Sequence, residues 1–136
     1  MTNPIFALRV ALRAVLIADA TLITLLGGAR LYDAAPAGET PPYITFGEAK
    51  IEDWSALGVI GHAHTLSLDV WSREGGDSEA LALAQRLVEV VQASPLTLDG
   101  HRIILIRVRE QDVDLPTADG LRHARVTLEA FSEVLS

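Results

Sequence analysis

From the first residues the chain alternates apolar and polar positions at helical spacing. Ile5, Leu8, Leu12, Val15 and Leu16 fall on one face, and Arg9 and Arg13, four apart, share the other. Asn3 followed by Pro4 supplies an N-cap and a proline at the first helical position, where its missing N–H costs nothing, so the pattern predicts a helix from Pro4. Asp19 reads as a second N-cap for a short helix over "ATLITLL", closed by Gly27-Gly28 in a left-handed cap. "RLYDAAPAGETPP" follows neither period and predicts a surface connection into a strand over "YITFGEA", Tyr43 to Ala49, where β-branched and aromatic residues gather. "KIEDWSALGVIG" is too long for a tight turn and unusually apolar for a loop. Its Ile51, Trp54, Leu57, Val59 and Ile60 call for cover that a partner subunit can supply.

From His62 to Arg73 the period changes to two. His62, His64, Leu66, Leu68 and Val70 take one face, and Thr65, Ser67, Asp69, Trp71 and Arg73 the other. "REGG" breaks the strand, and Asp77 or Ser78 caps a helix whose stripe is Ala80, Ala84, Leu87, Val88 and Val91, ending near Ser94-Pro95. "LTLDGHRIILIRVRE" predicts a hairpin: a short strand, an Asp-Gly turn and a longer strand. A polar loop with Pro116 and Asp119-Gly120 leads to a last strand, "LRHARVTLEAF", with Ala124, Val126, Leu128 and Ala130 on one side. Short connections between strands favour an antiparallel sheet. The expected class is α+β, about four antiparallel strands with two main helices packed on one face.

Composition narrows the picture further. A length of 136 residues, with 49% hydrophobic and 21% charged residues, suits one globular domain spanning 1–136. The chain has no cysteine, which removes disulfides, thiolate catalysis and Cys-ligated zinc. A net charge of −7 argues against holding nucleic acid by neutralising phosphates, though DNA can pass an acidic surface without sticking. Arg9 and Arg13 interrupt the apolar start and Asp19 follows, so a mature, soluble N-terminus is expected, with no membrane span.

Candidate chemistry is sparse. His62-x-His64 offers two imidazoles on one strand face, but a metal site needs a third ligand. Of the nearby carboxylates, Glu48 and Asp69, alternation sends Asp69 to the other face; His101 and His123 lie beside turns with no fixed relation to the pair. No G-x-S-x-G motif, P-loop or dinucleotide fingerprint occurs, and Glu74, Asp77 and Glu79 would repel an anion from Gly75-Gly76. Asp112 and Asp114 share a strand face and read as a solvated edge rather than an acid/base pair. Arg107 and Arg109, on a face with Ile103 and Leu105, fit either solvent or a neighbour's carboxylates. Trp54 and Trp71 stand out in a chain only 5% aromatic, because tryptophan is enriched at interface anchors.

The order of segments resembles a known family. An amphipathic first helix, "GGARLYDAAP", "PPYITFGEA", a Trp-containing loop, "HTLSLDVWSREGG" running into a helix, "LTLDGHRIILIR" and "RHARVTLEAF" together resemble the tail completion and tail terminator proteins of long-tailed phages and gene transfer agents. The resemblance covers nearly the whole chain, with "LDVWSREGG" and "PPYITFGEA" as its most specific pieces. It implies a non-enzymatic structural protein without cofactor, located in a virion or phage-like particle after assembly in the bacterial cytoplasm. It further implies a ring, six-fold in known members, that ends the tail tube at its head-proximal side. The ring's partners are other copies of itself, the tail tube protein and a head-side connector or stopper, with DNA sliding through the lumen unbound. Ile51, Trp54, Leu57, Val59, Ile60, Trp71, Arg107 and Arg109 are the residues expected at such contacts. A small metal- or ligand-binding oligomer using His62 and His64 is the alternative.

Overall fold

The computed structural model describes residues 2–73, 77–114, 117 and 120–135. Along the chain run α1 (Pro4–Ile17), α2 (Ala20–Leu26), β1 (Leu31–Tyr32), β2 (Tyr43–Asp53), β3 (Gly61–Arg73), α3 (Ser78–Ala93), β4 (His101–Val113) and β5 (Leu121–Val134). The class is α+β, but with five strands and three helices rather than four and two. The sheet order is β1-β2-β3-β5-β4. It is mixed, because β1 pairs parallel to β2 through Leu31↔Ile44 and Tyr32↔Thr45, while the other neighbours are antiparallel.

The helix ends form as their residues dictate. The Asn3 side chain accepts from the amides of Ile5 and Phe6, and Asp19 accepts from that of Leu22. Gly27, at φ 79°, returns its N–H to Ile23 and Thr24 and stops α2. α3 buries the expected Ala80, Ala84, Leu87, Val88 and Val91, together with Leu83 and Val90. The side chain of its Asp77 cap makes no bond to the helix amides and instead meets Arg122 Nη1 at 3.5 Å. The expected strand break at Glu74, Gly75 and Gly76 lies outside the described residues, as do Pro116 and Asp119.

α1 and α3 pack on one face of the sheet, over Ile44, Phe46, Leu66, Leu68, Val70, Ala124, Val126, Leu128 and Ala130, and α2 packs against both helices. β3 sits at the centre, and its alternation is as expected, with Leu66, Leu68 and Val70 buried. Truncating a fully buried leucine of this kind typically costs about 2–5 kcal/mol. The other face of the sheet is polar and carries no helix.

Three departures have local causes. β2 runs four residues past Ala49 because a bulge at Gly47-Glu48 shifts its phase: Phe46 pairs with Leu68, and Ala49 with Leu66. Glycine at position 47 leaves room for its neighbours: a Cβ there would collide with the Ser67 hydroxyl and sit 2.5 Å from an Asp69 carboxylate oxygen, so both side chains would have to turn aside. β4 bulges twice, between Ile103 and Leu105 and between Val108 and Glu110. These bulges separate residues expected on one face: Ile103 packs on the core, whereas Leu105 pairs with Phe131 and Arg107 with Glu129 on the outer side. The expected hairpin at Asp99-Gly100 is reduced to its turn and a single antiparallel bridge, without the short strand before it. Leu98 and His101 form an isolated bridge there, while Leu96 and Leu98 pack on the core and bring the chain from α3 into β4. The hairpin partner of β4 is β5. β4 forms an open edge of the sheet, with Arg102, Arg107, Arg109 and Glu110 exposed along it.

Candidate functional site

The apolar segment expected as a loop is a tight hairpin extending β2 and β3. The Trp54 amide donates to the Gly61 carbonyl at 2.9 Å, and Ala56 bridges Val59. Ser55 Oγ donates to Asp53 Oδ1 at 2.6 Å and accepts from the Gly61 amide at 3.0 Å, which braces the base. The turn places consecutive residues, Leu57 at φ 50° and Gly58 at φ 83°, in the left-handed region, as two-residue hairpin turns of the favoured twist require. Asn or Gly is the usual first residue of such a turn; leucine there carries a steric penalty of about 1 kcal/mol. Leu57 is also wholly exposed, at 102%. Beside it Trp54, Val59 and Ile60 are exposed by 45%, 45% and 57%, so a folded single chain leaves uncovered four of the five apolar residues expected to need cover. Ile51, the fifth, lies half-buried on the core face opposite His64. Trp54 rests one side on Phe131, ring centroids 4.8 Å apart.

A second apolar surface runs along α1. Phe6 and Val10 are exposed by 62% and 51% and, with Arg9, Arg13, Asp33 and Phe46, line a shallow groove of 240 Å³. The two arginines do not simply face solvent. Arg9 lies over the Phe46 ring and donates from Nη2 to the Gly47 carbonyl in the β2 bulge at 3.0 Å, and Arg13 donates to the Leu31 carbonyl. Among the described residues neither forms an ion pair, and Arg9 Nε is buried without a partner.

The helix-free sheet face holds a polar network that sequence reading missed, because its members come from four strands and the end of a loop. Trp71 stands on this face as alternation implied, but half-covered: its ring stacks on His123 at 4.2 Å and 9°, and its indole N–H donates to Thr45 Oγ1 at 3.0 Å. His123 Nε2 meets Asp69 at 2.6 Å and Nδ1 meets Asp114 at 2.8 Å. Both ring nitrogens are thus engaged within the chain, one by each carboxyl group. Arg125 lies 3.2 Å from Asp69 and 3.7 Å from Asp112. Asp112 and Asp114 thus have separate basic partners. Arg107 pairs with Glu129, an exposed contact of small energy, and Arg109 is exposed at the second β4 bulge. Hence Trp71, Arg107 and Arg109 are not brought together with the hairpin tip.

His62 and His64 open β3 on the core side, and His101, with no expected relation to them, joins them. The His62 ring lies 6.3 Å from that of His64 and 6.0 Å from that of His101. His64 Nε2 bonds Ser132 Oγ at 2.8 Å, and His101 Nε2 bonds the Thr2 carbonyl at 2.8 Å. Burial, with the neighbouring His62 and His101 adding to it, pushes the His64 imidazole down to about 4. Among the described residues no set of three or more His, Asp or Glu side chains is arranged to hold a metal ion. Glu48, the other carboxylate considered, lines the polar face instead.

A small α+β subunit that exposes an apolar tip and an apolar groove while tying up its polar side chains in internal bonds is a protein built to assemble. The chain belongs to the tail completion protein gp17 family, which it matches over residues 10–133. Membership makes it a structural tail protein of a phage or phage-like particle, not an enzyme. No curated protein matches the sequence. Among solved structures, a chain of the virion of a native gene transfer agent particle matches with a TM-score of 0.88 and 24% identity, over 98% of this chain and 99% of that one. The gp17 protein of bacteriophage SPP1 matches with a TM-score of 0.63 and 17% identity, over 96% and 90%.

Proposed function

We propose that copies of this protein close into a ring at the head-proximal end of a tail tube. The ring ends tube growth and joins the tail to the head-side connector or stopper of a gene transfer agent or phage. The observation that carries this reading is the hairpin tip: a member of a tail completion family keeps four apolar residues in water on a braced, strained turn, which suits a contact made only on assembly. Likeness over almost the full length to a chain of a gene transfer agent virion supports placement in such a particle. A ring of six copies fits the segment order that the family shares. Repetition of one heterologous contact closes such a ring, with the tube protein on one side and the connector on the other. The net charge of −7 suits a lumen that DNA slides through, since carboxylates do not hold phosphates. Electron microscopy of particles from producer cells lacking the gene tests the reading. Filled heads beside detached tails of uncontrolled length are expected; normally tailed particles would overturn it.

A further inference from the structure

The proposed ring leaves open which surface receives the tip. We propose that the hairpin of each copy docks into the α1 groove of the next, with Leu57 seated between Phe6 and Val10 and Asp53, at the hairpin base, facing Arg9 and Arg13. This rests on the ring reading above and supplies its contact.

The two surfaces match in chemistry. The tip is apolar with the Asp53 carboxylate at its base, next to a Lys50–Glu52 pair; the groove is apolar with guanidiniums along it, and Asp33 is its one acidic lining residue. Arg9 and Arg13 are held in place by carbonyl acceptors that leave their charge unneutralised, so an incoming carboxylate finds preordered cations. Among the groove's apolar members, Phe6 and Val10 stay exposed when the described residues are folded. Leu57 stands in a backbone region that disfavours leucine and gains nothing from the fold at full exposure; its side chain has use only against another molecule. Because tip and groove are different parts of one chain, the contact is head-to-tail. Every copy therefore offers one tip and one groove, the pattern that closes into a ring.

The absence of cysteine makes the test direct. Producer cells carry Leu57→Cys with Val10→Cys in place of the natural gene, and purified particles are oxidised and run on a non-reducing gel. A disulfide forms only between Cα atoms within about 7 Å. The double variant is expected to give a ladder up to the closed ring, each single variant none, and a mixture of the two singles dimers alone. Cross-linking by Leu57→Cys by itself would mean tip-to-tip contact and would overturn the proposal. Formaldehyde treatment of the same particles separates the two readings. A formaldehyde ladder without a disulfide ladder overturns this docking and leaves the ring; neither ladder overturns both.

Discussion

Replacing Leu57 with asparagine is expected to stabilise the free protein and weaken its assembly, opposite effects from one side chain. Asn tolerates the left-handed backbone, so Leu57→Asn relieves about 1 kcal/mol of local strain. It forfeits no burial, because the leucine is wholly exposed. With an unfolding entropy of about 2.1 cal/mol/K per residue, that energy raises the midpoint of a 136-residue chain by about 3.5 °C. In the assembled state the same change removes a leucine from a partner's surface, worth about 1.5–3 kcal/mol of apolar burial per contact, or a ten- to hundredfold loss in affinity. Differential scanning calorimetry of the purified variant reads the first effect, and the fraction of tailed particles from cells carrying it reads the second. An unchanged or lower midpoint refutes the strain account. Wild-type joining of tails refutes the tip as an assembly contact.

Three further outcomes are expected. The folded His64 titrates near 4 against an ordinary 6.5, so the unfolded chain binds more protons between those values; stability is full above pH 6.5 and falls as the solution is acidified towards 4. The groups around it are His62, His101, Ser132, Ile51 and the Thr2 end of α1, with Asp99 bonded to Thr2. His64→Gln keeps a donor for Ser132 and flattens this slope in urea unfolding at pH 4.5 and 7, whereas an equal slope in both proteins would sink the idea. Asp19 both caps α2 and takes a two-pronged bond from Arg86 on α3, which holds its carboxyl below the usual range. Asp19→Asn keeps the cap and Asp19→Ala loses it, so the alanine variant should unfold with about 1 kcal/mol less stability than the asparagine one; equal stability would show the cap to be idle. Gly47→Ala forces a Cβ against Ser67 and Asp69 and should cost about 1–3 kcal/mol in thermal unfolding, which a wild-type midpoint would contradict.

Legibility followed how local each cause was. α1, α2 and β3 were readable because caps and periodicity sit within a few residues of what they control. β1 was not, because a two-residue edge pairing has no period of its own and exists only where Leu31 lies beside Ile44. Bulges hid the far end of β2 and the true faces of β4, since one inserted residue reverses every later side chain. Asp99-Gly100 carried the signal of a hairpin and does turn the chain, but the pairing stops at one bridge, Leu96 and Leu98 being drawn onto the core. At the candidate site, the apolar excess from Trp54 to Ile60 was visible, whereas the positive φ of Leu57 was not. The His123 network and the joining of His101 to His62 needed residues dozens of positions apart, and no spacing announces them.

The twice-broken edge strand β4 has a bearing on life in a crowded cell. A straight, unpaired strand invites a neighbour's strand to extend the sheet, and such growth has no natural end. Here two bulges twist the edge, and Arg102, Arg107, Arg109 and Glu110 stud it with charge, so free copies resist zipping into fibres. Ile104 and Leu105 are exposed on the same strand, so it is the broken backbone and the charges, not a lack of apolar side chains, that make this edge a poor template.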